Sequence, residues 1–223
     1  MYNLSPNQEN LIAYLLGIME MPPQFADLLK PHLSKEITYH EDTQVLKVDA
    51  IAEIAYWPVS GYIRSYTLVQ PEADREYYQQ KTIDISLRSK VSFAANSFMN
   101  NVEADFNMEI AKGSVMIEFT RDSFIKLGQM MPEVNQLALK IVSAGEKDWH
   151  KKMEICKNLA SDGYKTFLDH FDAEVESYIY KKHIASYIGT SPENLSRIRK
   201  AWGFGDDYLR KWGATPALGT APL

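Results

Sequence analysis

Between residues 181 and 200 runs KKHIASYIGTSPENLSRIRK, the stretch of this chain best equipped to meet a polyanion. Five cations (Lys181, Lys182, Arg197, Arg199 and Lys200) against one carboxylate (Glu193) give it a charge of +4. The whole chain has a formal net charge of -5, so the other residues sum to -9. Ser191, Asn194 and Ser196 add short hydroxyl and amide groups beside the charges. Such a set matches the edges of base pairs. A guanidinium bonds bidentately to guanine O6 and N7, a carboxylate accepts from cytosine N4, and hydroxyls reach bases or phosphates. The chemistry requires these groups on one rigid, exposed face.

The spacing supplies that face. Ile184, Ala185 and Ile188 lie on one side of a helix, and Gly189 ends it at a position suited to a left-handed backbone. Ser191 can cap a second helix, Pro192 fits its first turn, and Glu193 sits well at the positive end of its dipole. Leu195 and Ile198 then turn back toward Ile184 and Ile188, with small Ala185 at the closest approach. Glu193, Asn194, Ser196, Arg197 and Lys200 are left outward, and Arg199 adds to the positive charge of the helix. Two helices with a tight glycine turn make a helix-turn-helix, whose second helix can enter the major groove of double-stranded DNA. An ordinary αα-hairpin with a solvated basic face fits the same pattern.

The elements before this stretch change character twice. Residues 7–35 read as helical, with Leu11, Tyr14, Leu15 and Ile18 on one face and Pro22-Pro23 as an interruption. From Ile37 to Phe119, short runs rich in β-branched and aromatic residues alternate with turn formers such as Gly61, Pro71 and Gly113, which predicts a barrel or sandwich-like roll. Thr120 or Asp122 starts a helix next, and Pro132 suits the first turn of another. Val134, Leu137, Ile141, Ala144/Gly145, Trp149, Met153 and Cys156 form a stripe along a helix of about seven turns. A helix this long is expected to offer part of its stripe to a second copy of the chain; packing on the roll alone is the alternative. A helix around Ser161–Phe171 leads into the basic stretch. The uncharged GATPALGTAPL at 213–223 has too little apolar bulk to order.

Composition narrows the classes. In 223 residues, one cysteine, Cys156, excludes an intramolecular disulfide framework and a cysteine-rich metal or iron–sulfur site. It suits a reducing cytoplasm. The N-terminus lacks the basic region of a signal peptide, and Leu11–Met19 is too short to span a bilayer, so a soluble cytoplasmic protein without membrane contact is expected. His32, His40, His150, His170 and His183 show no ligand spacing, so no metal or cofactor is expected. P-loop, Rossmann, nucleophile-elbow and metalloprotease patterns are absent, and an enzyme is not expected.

HIASYIGTSPENLSRIRK resembles the C-terminal helix-turn-helix of the Crp/Fnr superfamily of transcription regulators, and YWPVSGYIRSY resembles the family's strand-Gly-strand segment. The resemblance covers about residues 20–202. It implies an α+β fold: a cyclic-nucleotide-binding-like β-roll (jelly roll) with flanking helices, a long dimerisation helix and a C-terminal winged helix-turn-helix. The corresponding domains are 1–131 for the effector unit, 132–159 for dimerisation and 160–202 for DNA binding, with 203–223 as a tail. It further implies a homodimeric, sequence-specific regulator binding an inverted repeat through Ser191, Glu193, Asn194, Ser196, Arg197, Arg199 and Lys200, with RNA polymerase and a small-molecule effector among its partners.

Two departures qualify the resemblance. Cyclic-AMP-binding members present Gly-Glu for the ribose and, some ten residues on, an Arg for the phosphate. Here Ala94-Ala95 or Ala95-Asn96 stands for the first, and Glu103 and Asp105 fall near the second. Carboxylates repel a phosphate and donate nothing to it, so an effector domain degenerate for cyclic AMP is expected and the effector is left unidentified. Glu193, Ser196 and Arg197 resemble the Glu-x-x-Ser-Arg pattern of the Fnr branch, whereas the cyclic-AMP branch has an Arg where this chain has Pro192. That implies TTGA-like half-sites in place of GTGA. The rival readings are a signalling module that has lost DNA binding and a structural coiled-coil protein.

Overall fold

The computed structural model describes residues 4–70, 78–88, 90–157, 159–171 and 173–202. It divides into two compact units, Met1–His150 and Lys151–Leu223.

In the first unit, helix α1 (Pro6–Ile18) begins at a reciprocal cap: Ser5 Oγ accepts from the Gln8 amide, and Gln8 Oε1 accepts from the Ser5 amide at 2.9 Å. Short α2 (Phe25–Leu29) follows the prolines. Seven strands come next: β1 (Ile37–Thr38), β2 (Thr43–Leu46), β3 (Ile54–Ser60), β4 (Ile63–Val69), β5 (Gln79–Ser86), β6 (Asn107–Ile110) and β7 (Val115–Thr120). A short α3 (Ala95–Asn100) lies between β5 and β6. The strands form two antiparallel sheets, ordered β1-β7-β3 and β2-β6-β4-β5. Strands distant in sequence are therefore neighbours, and the predicted roll is present.

The β3–β4 connection explains why glycine stands at 61. Its φ is +73°, and a Cβ there would fall 2.2 Å from Ser114 Oγ. Any side chain would be both strained and in collision.

The β3 and β7 part of the first sheet is covered on both faces. Trp57 and Ile117 pair across β3 and β7 and pack with Leu11, Leu15, Phe25 and Leu127 from the helices. Their chain neighbours Tyr56 and Met116 point the other way, into a cluster with Ile63, Met108 and Ile110 of the second sheet. Period-two alternation thus gives YWPV of β3 and VMIEF of β7 two cores to fill, so their apolar residues run nearly unbroken. On the second sheet, the face opposite Ile63 and Ile110 carries buried Arg64, whose Nε donates to Glu109 Oε1 at 2.9 Å.

Helix α4 (Arg121–Met130) starts at Thr120, whose hydroxyl accepts from the Ser123 amide at 3.2 Å; of the two candidates, Thr120 is the cap. Helix α5 (Glu133–Lys157) is 25 residues long, the expected seven turns, and the division between the units falls within it. Its first turns correct the reading of the stripe. Val134, Leu137 and Ala138 are buried, and Ile141 packs against the same core cluster. These residues belong to the roll's own packing. Leu139 and Val142 remain exposed, as does Cys156, with Met153 half-buried; the side chain of Trp149 is outside those described.

The second unit contains α6 (Ala160–Phe171), a 3-10 segment at Ala173–Ser177, α7 (Lys181–Ile188) and α8 (Pro192–Ala201). No strand that could form the expected wing occurs among the described residues of this unit, and the tail of 203–223 lies outside them. No helix among the described residues is long and apolar enough to cross a membrane, and no three of their His, Cys, Asp or Glu side chains form a metal-holding group.

Candidate nucleic-acid interface

Helix α7 ends at Gly189, which has φ +76° and a left-handed conformation; its N–H and that of Thr190 close the last turn onto Ala185 and Ser186 carbonyls. A left-handed residue here lets the chain reverse within three residues. Ser191 then caps α8, its hydroxyl accepting from the Asn194 amide at 3.2 Å, and Pro192 occupies the first helical position. The Asn194 side chain donates to Thr190 Oγ1 at 2.8 Å and so braces the turn. Ile184, Ala185, Ile188 and Leu195 are buried where the two helices meet, and Ile198 is half-buried. Ala185 is fully covered, as a close approach at that position requires.

On the opposite side, Glu193, Ser196, Arg197 and Lys200 are exposed. Their spacing is i, i+3, i+4, i+7, a single face of a 3.6-residue helix. The carboxyl of Glu193 is held below the ordinary range, first by its own backbone N–H at the helix start and then by a hydrogen bond from the Ser191 hydroxyl. The group is therefore a charged acceptor at neutral pH. Lys181 and Lys182 are exposed at the start of α7.

Arg199 is the exception, and it corrects the predicted set. The residue is 8% exposed. Its Nε and Nη2 donate to the two carboxylate oxygens of Glu176 at 2.8 and 3.1 Å, and the Tyr164 hydroxyl donates to the same carboxylate. The guanidinium is thus locked inside the unit by a bidentate pair. Position 199 lies four residues beyond Leu195, so helix geometry turns it inward, and a charge can occupy that face only with its partner present. Nothing local in the sequence announces Glu176, which lies 23 residues away in the chain.

No protein-family model and no curated protein sequence matches the chain. Solved structures do. FixK2 from Bradyrhizobium japonicum superposes with a TM-score of 0.60 at 18% identity, over 83% of this chain and 89% of that one. A transcriptional regulator of the Crp/Fnr family from Eubacterium rectale gives 0.61 at 13%, over 84% and 88%. The c-di-GMP-responsive global regulator CLP of Xanthomonas campestris gives 0.57 at 16%, over 86% and 94%. The fold is that of Crp/Fnr regulators.

Within this Crp/Fnr fold, the segment expected to hold a cyclic phosphate is built from α3 and the chain leading to β6. Ala94 is buried and precedes α3, where it offers no side-chain donor. Asn101 ends that helix in a left-handed conformation, and Ile51 forms an isolated bridge to Glu103. Glu103 and Asp105 are exposed on either side of buried Ala104. The roll interior beside them is filled by Phe98, Met108, Ile63, Ile110 and Met116, each at most 3% exposed.

Proposed function

We propose that this chain is a homodimeric, sequence-specific DNA-binding transcription regulator of the Crp/Fnr type, working in the cytoplasm and catalysing no reaction. The observation that carries the reading is the exposed face of α8. Glu193, Ser196, Arg197 and Lys200 occupy one line of the helix, while Leu195 and Arg199 anchor its back. Arg197 bonds guanine O6 and N7, Glu193 accepts from cytosine N4, Ser196 supports a neighbouring T·A pair, and Lys200 meets phosphate. Ser191 and Asn194 hold the N-terminal end of that face through the cap and the turn. The structural neighbours support the same class of function.

The division of labour follows the chain: effector unit 1–131, dimerisation helix 132–159, DNA-binding domain 160–202 and tail 203–223. Dimerisation uses the exposed side of α5, where Leu139 and Val142 lie a turn apart. The two α8 helices of a dimer then read an inverted repeat of TTGA-like half-sites, about 10–10.5 bp centre to centre. The effector domain is degenerate for cyclic AMP, and RNA polymerase is the expected downstream partner.

Electrophoretic mobility shift of the full-length protein on random duplex DNA, across a salt series, tests the general reading. Binding whose logarithm falls steeply and linearly with log salt reports phosphate contacts. Undetectable binding at low salt would instead favour a signalling module that no longer binds DNA.

A further inference from the structure

The helix-facing side of the first sheet holds an apolar cavity of about 90 Å³. Its walls come from six elements of the fold: Leu11 and Leu15 on α1, Phe25 on α2, Trp57 and Ile117 on the sheet, Phe98 on α3, Phe124 and Leu127 on α4, and Leu137 and Ala138 on α5. All the residues around it are aliphatic or aromatic, and Tyr56 supplies the one hydroxyl among them. Protein interiors seldom leave a void much larger than a water molecule, and water does not settle where it finds no polar partners. Cavities of this chemistry stay dry and admit compact apolar molecules; an engineered cavity of about 150 Å³ lined by Leu, Ile and Phe binds benzene.

We infer that this cavity is a binding site for a small, uncharged, apolar molecule of about the size of a single aromatic ring. Three observations select that class. The volume excludes a nucleotide, the lining has no charged side chain to neutralise an ion, and the aromatic walls offer ring faces and edges. The site borders the cyclic-phosphate segment of the roll, since Phe93 and, on α3, Phe98 also line it. Trp57 and Ile117 face the helices from the first sheet, and Tyr56, on the face that carries Met116, also reaches the cavity lining. Lining by Leu137 and Ala138 means that an occupant touches the first turns of α5 directly. This inference goes beyond the DNA-binding reading and does not depend on it.

Benzene is the probe. Titrated into the full-length protein, it should raise the melting temperature saturably and shift the methyl resonances of Leu15, Ile117, Leu127 and Leu137 while leaving those of Ile184 and Ile188 in place. Ala138→Leu fills the cavity from α5 and should weaken binding about tenfold or more. Leu15→Phe fills it from α1, so the comparison survives if one variant fails to fold. A non-saturable response in the unsubstituted protein, or equal benzene affinity in a folded filled variant, would overturn the inference.

Discussion

Arg197 and Arg199 are two residues apart on α8 and face opposite ways: Arg197 is exposed, while Arg199 grips Glu176 with two hydrogen bonds inside the second unit. The positive charge of this helix therefore has two distinct uses, and they are separable by mutation. Glu176→Ala leaves a buried guanidinium unpaired, which should destabilise the unit by about 3–5 kcal/mol. Arg197→Ala removes an exposed group and should change stability by about 0.5 kcal/mol or less. Chemical denaturation followed by far-ultraviolet circular dichroism checks both; comparable losses for the two variants would contradict this division.

Assembly is tested on α5. Leu139→Asp places a charge on its exposed side and should weaken the proposed dimer at least tenfold with little effect on folding. Ile141→Asp should instead lower the stability of the first unit, since Ile141 packs against the core cluster with Leu137. Light scattering and thermal melting on both proteins distinguish the two effects. A Leu139→Asp protein that stays dimeric at submicromolar concentration would move the interface elsewhere.

On the proposed reading of the roll, in which exposed Glu103 and Asp105 fall where a phosphate-binding cation is expected and Ala94 offers no donor, cyclic AMP should bind weakly or not at all. Calorimetry at millimolar cyclic AMP should show no saturable heat. A micromolar dissociation constant would overturn this account of the roll.

The pH dependence follows from Glu193. Its pKa lies below the ordinary value, so its folded-state contribution is present above the ordinary carboxylate range and is lost only as pH falls through the depressed folded value. Preference for the cytosine it is proposed to contact should accordingly be unchanged between about pH 6 and pH 8, far above the titration of a carboxylate. Ser191→Ala removes the hydrogen bond from the hydroxyl and should move the loss toward higher pH. Fluorescence anisotropy with matched and mismatched duplexes, from about pH 8 down through the carboxylate range, provides the check.

Local signals carried much of this structure. Gly189, Ser191 and Pro192 prescribe the turn and the second helix, and each does so through its own backbone or side-chain geometry. Thr120 and the apolar spacing of α5 likewise set a helix start and a length. Partners distant in sequence were illegible. Arg199 reads as one more surface cation until Glu176 is placed beside it, and Ile141 reads as part of a dimer seam until the core of the roll is seen beneath it. The cavity, too, depends on walls from α1 to α5 and has no pattern in the chain.

The central claim is that α8 reads base sequence through Arg197 and Glu193. Selection of sites from a random duplex pool by the full-length protein, repeated with Arg197→Ala, tests it most directly. The account predicts an inverted repeat of TTGA-like half-sites about 10–10.5 bp apart, and a loss of about 1–3 kcal/mol with relaxed preference at the guanine in the variant. Lys200→Ala, run alongside, should weaken all sequences alike and reduce the salt slope by about one. Selected sites without an inverted repeat, or an Arg197→Ala protein with unchanged preference at the guanine, would contradict it.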